Sequence, residues 1–210
     1  MTQTFALGGE GFEGLDSKVK YRSSLQNFVV DTGSEVILVD TGTPDDFPGM
    51  ALNEDTQIYM GEKIENYLDA LARVGYKPEQ VSKILITHKH MDHTGVLKYF
   101  PNAKIYAAAI ETKADELKDL PNVITVEFTD GAYYNFPKSQ KIADGIYFVE
   151  AIGHTTGNSL VVVEDGGLFY MIHGDATYTD EALYCNKFAV AVEDKAEFRK
   201  TKDCRSRPYA

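Results

Sequence analysis

The sequence predicts an α/β fold with helices packed outside sheets and a site built from loops at one sheet edge. Three observations carry this. Short apolar runs bounded by Gly, Pro, Asn and Asp alternate with segments of helical spacing. Polar clusters follow directly on those runs, and three of the five histidines fall within six residues at the end of one of them. The composition, 43% hydrophobic and 25% charged over 210 residues, excludes wholesale disorder, a coiled-coil rod and a collagen-like chain, and it suffices for a core in one domain spanning residues 1–210.

In chain order, Leu25 to Val30 and Val36 to Val39 read as a hairpin across the turn Asp31-Thr-Gly-Ser-Glu35. Residues 43–60, with Pro44, Pro48 and Gly49, predict a long loop. Ile64, Tyr67, Leu68, Leu71 and Val74 recur at helical spacing, and Gly75 stops the run. Lys83 to Thr87 reads as a buried strand, Lys104 to Ala107 as a strand, Ile110 to Leu120 as a helix and Val123 to Phe128 as a strand. Residues 129–141 form a loop bearing Tyr and Phe. Ile146 to Ala151, Ser159 to Glu164 and Leu168 to His173 read as three strands, and Asp194 to Lys202 as a helix.

Charge and cysteine content narrow the function classes. With 21 Lys and Arg against 32 Asp and Glu, the net charge is -11, so neither nucleic acid nor an anionic membrane surface is expected as a partner. Cys185 and Cys204 show no metal-binding or redox spacing and fit a reducing cytosol, with one disulfide remaining open. The opening MTQTFALGGEGFEG has neither the positive nor the apolar region of a signal peptide, and no run approaches the length of a membrane span. The expected location is the cytoplasm.

The informative segment is Thr87-His88-Lys89-His90-Met91-Asp92-His93-Thr94-Gly95. On an extended strand end, His88 and His90 project to one side, because side chains alternate with period 2, and two imidazoles so placed can share a metal. Asp92 continues that face, and His93 can aim at a second metal as the chain turns. Nitrogen and oxygen ligands without thiolate suit Zn²⁺ best, with Mn, Fe or Co as alternatives. Further ligand types stand at or near the ends of other predicted strands: Asp40, His154 in Gly153-His154-Thr155, and Asp175 in His173-Gly174-Asp175.

The ordered set Asp40, His88-Lys-His90-Met-Asp92-His93, His154 and Asp175 resembles the metallo-β-lactamase superfamily over roughly residues 25–200. The resemblance implies a four-layer αβ/βα sandwich with a metal site at one edge. It implies that His88, His90 and His154 hold a first metal, Asp92 and His93 a second, and that Asp175 bridges them, while Asp40 orients the site. Asp rather than Cys at 175 looks unlike the true β-lactamases, and Thr156 stands where the family more usually has proline. Within the superfamily, Asp175-Ala-Thr-Tyr178-Thr-Asp-Glu181 is similar to the N-acyl-homoserine lactonases, in which a tyrosine three residues after the bridging aspartate faces the substrate. Val36 to Pro44 and Gly75-Tyr-Lys-Pro78 are also lactonase-like.

The resemblance therefore implies a metal-dependent, quorum-quenching type of hydrolase acting on a small lactone or ester. A metal-activated hydroxide would attack the lactone carbonyl, Tyr178 would stabilise the oxyanion, and Asp92 would carry a proton to the leaving alkoxide. Phe47, Met50, Tyr59, Met60, Tyr133, Tyr134 and Phe136 are candidates for gripping an acyl chain. Thioester or phosphoester hydrolysis, or a catalytically impaired metal-binding protein, are the alternatives. The family closes its second site with a Gly-His motif, and no histidine follows His173. The sandwich is thus expected to be incomplete at its C-terminus, the second metal site one ligand short, and the chain prone to self-association.

Overall fold

A computed structural model describes residues 2–7, 20–49, 51, 58–178 and 192–206, with the backbone alone for 2–7, 20–24, 58–62 and 201–206. The first sheet is built from β3 (Phe28–Asp31), β4 (Val36–Val39), β6 (Val81–Leu85), β7 (Lys104–Ala108) and β8 (Val123–Val126), in that spatial order. The β3–β4 pair is the expected antiparallel hairpin, and β4, β6, β7 and β8 run parallel. The second sheet is an antiparallel meander of β9 (Ser139–Ala143), β10 (Ile146–Glu150), β11 (Ser159–Asp165) and β12 (Leu168–Ile172). A third sheet joins β1 (Thr2–Leu7), β2 (Lys20–Ser24) and β5 (Ile58–Lys63).

Period-2 alternation sorts the apolar side chains into layers. Ile37, Val39, Leu85, Phe148 and Val161 point between the two larger sheets and meet there. Their neighbours Val36, Leu38 and Ile84 face the other way, packing with Leu71 of helix α1 (Tyr67–Arg73) and with Phe100. Val149, Leu160 and Val162 face outward from the second sheet, covered by Tyr133 and Phe136. Each such side chain, buried from water, contributes about 1.5–3 kcal/mol, so the inter-sheet layer fixes how the two sheets dock. Two further helices bear on the site: α2 (Met91–Thr94) and α3 (Lys195–Ser206). Asp194 starts α3 by accepting from the backbone N–H groups of Ala196 and Glu197, the usual work of an N-cap carboxylate.

Three expectations change. The segment Ile110 to Leu120 is not a helix: a 3-10 turn spans Glu111–Lys113, and Ala114 is extended. Glu111 and Leu117 are both buried, and the extended Ala114 between them breaks the helical period. The expected loop over 43–60 ends in β5, which begins at Ile58, and the loop over 129–141 gives way to β9 at Ser139. In both, mixed polar sequence is held as strand by pairing with a neighbour.

Candidate metal centre

Parallel strands deliver their C-terminal ends to one edge, the usual place for a site in such a sheet. β4 leads directly into Asp40, and the chain beyond β6 carries His88, His90 and, through α2, Asp92 and His93. From the second sheet, β10 leads into the loop holding His154, and β12 into the 3-10 turn Gly174–Ala176 holding Asp175. The two sheets are joined here by the Ser159 N–H donating to the Thr87 carbonyl at 2.8 Å. α2 is pinned to the β4 loop by the Gly95 N–H donating to the Gly42 carbonyl at 2.8 Å and by the Thr41 N–H donating to His93 O at 2.7 Å.

Asp40 sits in the left-handed region at φ 61°, a conformation that Asp tolerates better than most residues. Its side chain is buried and fully used. Oδ1 accepts from the Thr87 N–H at 2.8 Å, and Oδ2 accepts from Thr87 Oγ1 and from His93 Nδ1, each at 2.8 Å. A carboxylate oxygen only accepts, so Nδ1 of His93 carries the proton and Nε2 presents a lone pair. Thr87 spends its proton on Asp40 and therefore accepts at 3.1 Å from His88 Nδ1, which leaves His88 Nε2 as a lone pair too.

Three imidazole nitrogens converge. His90 Nδ1 lies 3.0 Å from His88 Nε2 and 3.0 Å from His154 Nε2. Tetrahedral Zn²⁺ with Zn–N near 2.0–2.1 Å places its nitrogens roughly 3.3 Å apart, so this cradle fits such an ion. His88, His93 and Asp175 form a second group able to hold a metal. His93 Nε2 is buried without a hydrogen-bond partner, with Asp175 Oδ1 at 3.2 Å and Asp92 Oδ2 at 3.5 Å. A buried lone pair facing carboxylates is costly unless something cationic lies between them. The other Asp175 oxygen, Oδ2, lies 3.5 Å from His154 Nε2, so this one carboxylate faces both groups.

The electrostatics set His93 apart from the other imidazoles. Burial, with neighbouring imidazoles adding, pushes His88 well below the usual imidazole range and His90 down to about 4, so both are neutral bases. Burial also disfavours a charged His93, but the carboxylates of Asp40, Asp175 and Asp92 outweigh it and lift its pKa, so that without a cation a proton on Nε2 is favoured, and a metal bound there would take the place of that proton. Burial raises Asp92. Burial would raise Asp175 as well, but the facing imidazole of His93 prevails and holds it low. Tyr178 donates its hydroxyl to Asp175 Oδ2 at 2.9 Å, and burial together with that carboxylate keeps its proton on.

The metallo-beta-lactamase superfamily profile matches residues 26–203. The chain belongs to this superfamily. Within it, the N-acyl homoserine lactonase of Bacillus cereus is 29% identical over 170 residues, covering 73% of this chain and 64% of the lactonase. This chain thus spans less than two thirds of the length of the lactonases it matches. A probable metallo-hydrolase of Mycobacterium tuberculosis is 24% identical over 151 residues, covering 60% of this chain and 47% of that one. Among solved structures, an N-acyl homoserine lactone hydrolase with N-hexanoyl-L-homoserine at its catalytic metal centre aligns at TM-score 0.77 and 21% identity, over 96% of this chain and 83% of that one. A Bacillus thuringiensis AiiA variant with N-decanoyl-L-homoserine at its active site aligns at TM-score 0.78, also 21% identical, over 96% and 83%. The four-layer metallo-β-lactamase fold expected from the sequence is thereby borne out.

The residues expected from the sequence at the metal site of this superfamily member come together: His88, His90 and His154 in one group, and His93, Asp92 and Asp175 beside it, with Asp40 behind and Tyr178 on Asp175. The expected acyl-gripping aromatics do not all gather there. Tyr133 and Phe136 are buried on the outer face of the second sheet, and the Tyr133 hydroxyl donates to Glu164, which pairs at the end of β11 away from His154. Met50 and the side chains of Tyr59 and Met60 lie outside the described residues, as do the side chains of both cysteines. Among the described residues no helix is long and apolar enough to cross a membrane.

Sequence reasoning missed two carboxylates at the site. Glu111 accepts from the Lys89 N–H at 2.8 Å and from Thr155 Oγ1 at 2.7 Å. Glu193 accepts from the Thr156 N–H at 2.8 Å and pairs with Lys89 Nζ at 3.2 Å. The one signal for Glu111 is its place just after a parallel strand, β7, comparable to that of Asp40 after β4.

Proposed function

We propose that this protein is a metal-dependent hydrolase that opens the ring of a lactone of the N-acyl-homoserine type. His88, His90 and His154 would hold one cation, Asp92 and His93 a second, and Asp175 would serve both; Zn²⁺ suits this donor set. A divalent cation so held supplies an activated water at neutral pH and polarises the substrate carbonyl. The chain's own groups do the rest. Asp40 and Thr87 fix the imidazole tautomers. The Tyr178 hydroxyl, protonated and next to Asp175, would turn its one proton from that carboxylate to an oxygen that gains charge; its nearness to Asp175 supports the role. Asp92 would carry a proton to the leaving alkoxide, a role that its burial and raised pKa support.

The single observation that carries the lactone reading is Tyr178 donating to Asp175 beside the converging imidazoles, in a chain whose relatives are named as N-acyl homoserine lactonases. Such an activity would remove acyl-homoserine lactone signals. The test is turnover by the zinc-loaded protein on a panel of acyl-homoserine lactone, simple ester, thioester and phosphodiester. Ring opening of the lactone is expected to dominate. Turnover of thioester or phosphodiester with none on lactone would overturn the reading, and zinc binding without turnover of any of them would leave a metal-binding protein.

A further inference from the structure

Glu111 lies outside the ligand set, yet it touches both loops that supply the three-imidazole cradle. It is 1% exposed, and among the described residues no cationic side chain pairs with it. One oxygen accepts from the backbone N–H of Lys89, the residue between His88 and His90; the other accepts from the hydroxyl of Thr155, which follows His154 and is itself fully buried. The contact is close as well as polar. A Cβ on Gly157 would lie 2.5 Å from Glu111 Oε1 and 2.5 Å from its Cγ, so the His154 loop approaches this side chain as nearly as a glycine allows.

Burying a carboxyl group with only two neutral donors is costly, and a hydrophobic residue of similar volume would pack there without that cost. What a hydrophobic residue could not do is hold two separate loops by directed bonds. We propose that Glu111 is a positioning residue: by joining Lys89 and Thr155 it sets the spacing between His88, His90 and His154, and with it the cradle's affinity for a divalent cation. This rests on the metal reading above.

The test uses cobalt(II) as the probe, titrated into the metal-free full chain and followed by its visible absorption. Glu111→Ala removes both links and should weaken cobalt binding about 10–100-fold, the range for a residue that orients metal ligands. Thr155→Val removes one link at constant shape and should weaken binding by about 10-fold, at the lower end of that range, while Thr155→Ser should restore it. Leu117→Ala, at another fully buried position in the same segment, is the control for lost stability, with the melting temperature of each metal-free variant measured alongside. Cobalt affinity unmoved by Glu111→Ala and Thr155→Val, or falling as far in Leu117→Ala, would overturn the positioning role alone. An unsubstituted chain that binds no cobalt would overturn the metal reading and this proposal together.

Discussion

Asp40→Asn changes one atom at the root of the site. Asn accepts the left-handed backbone at φ 61° about as readily as Asp, so the fold has no backbone reason to respond. Oδ1 still accepts from the Thr87 N–H. At the Oδ2 position an NH₂ group now meets two donors, Thr87 Oγ1 and His93 Nδ1, each 2.8 Å away. The threonine hydroxyl can rotate and accept. The imidazole cannot do so without moving its proton to Nε2, which turns the lone pair of Nε2, the atom facing Asp92 and Asp175, into an N–H. The lost bond is buried and charge-assisted, so the metal-free protein should lose about 2–3 kcal/mol. Occupancy of the second cation should fall further, by about 10–100-fold, because His93 no longer presents a lone pair. Calorimetric zinc titration, urea denaturation of the metal-free form and nitrogen-15 spectra of the histidine ring report the three effects separately. An Asn variant with unaltered second-site affinity and Nδ1–H retained on His93 would refute the tautomer argument.

Four further outcomes are expected. Tyr178→Phe should lower kcat on lactone by about 10–10³-fold with metal content unchanged, measured by initial rates and metal analysis; an unchanged kcat would leave the tyrosine as packing. Asp92→Asn should reduce both second-metal occupancy and turnover while circular dichroism stays native. Gly95→Ala should destabilise by at least about 2 kcal/mol in denaturant unfolding, because its Cβ would lie 2.2 Å from Pro44 N and 2.3 Å from Thr43 C, backbone atoms held by the Gly95–Gly42 hydrogen bond. Burial would raise the Glu35 carboxyl, but Lys83 and Ser82 outweigh it and depress its pKa. Its stabilisation is therefore present above the unfolded pKa of about 4.3 and is lost as pH falls through the lower folded value, so Glu35→Gln should flatten the acid limb of stability by about 1 kcal/mol or less.

The sheets were legible because their strands are buried on both faces, which leaves Val36 to Val39 and Leu160 to Val163 as unbroken apolar runs. The ligands were legible because a local motif places three histidines within six residues, and Asp40, His154 and Asp175 stand just beyond strands. Thr2–Leu7, Lys20–Ser24 and Ile58–Lys63 escaped because they lack such runs and owe their strand form to pairing with one another. Glu111 escaped for a different reason. Its partners are a backbone N–H 22 residues away and a hydroxyl 44 residues away, and neither pairing leaves a trace in spacing. It read instead as part of a helix, since Ile110-Glu-Thr-Lys-Ala has good helical propensity until Glu111 is drawn inward.

The cradle draws two of its imidazoles from the first sheet and one from the second, and this sets an order of events during synthesis. Chains emerge N-terminus first and fold as they do so. His88 and His90 leave the ribosome with β6, when β10, β11 and β12 are still unmade, so a cation met at that stage finds two nitrogens and water. Only docking of the antiparallel meander brings His154 and Asp175 to the edge. Tight metal retention would therefore be a property of the finished sandwich, and an ion held there would fasten one sheet to the other. At a free concentration a hundred times its Kd, that fastening amounts to about 2.7 kcal/mol of stability, withdrawn whenever a chelator takes the ion away.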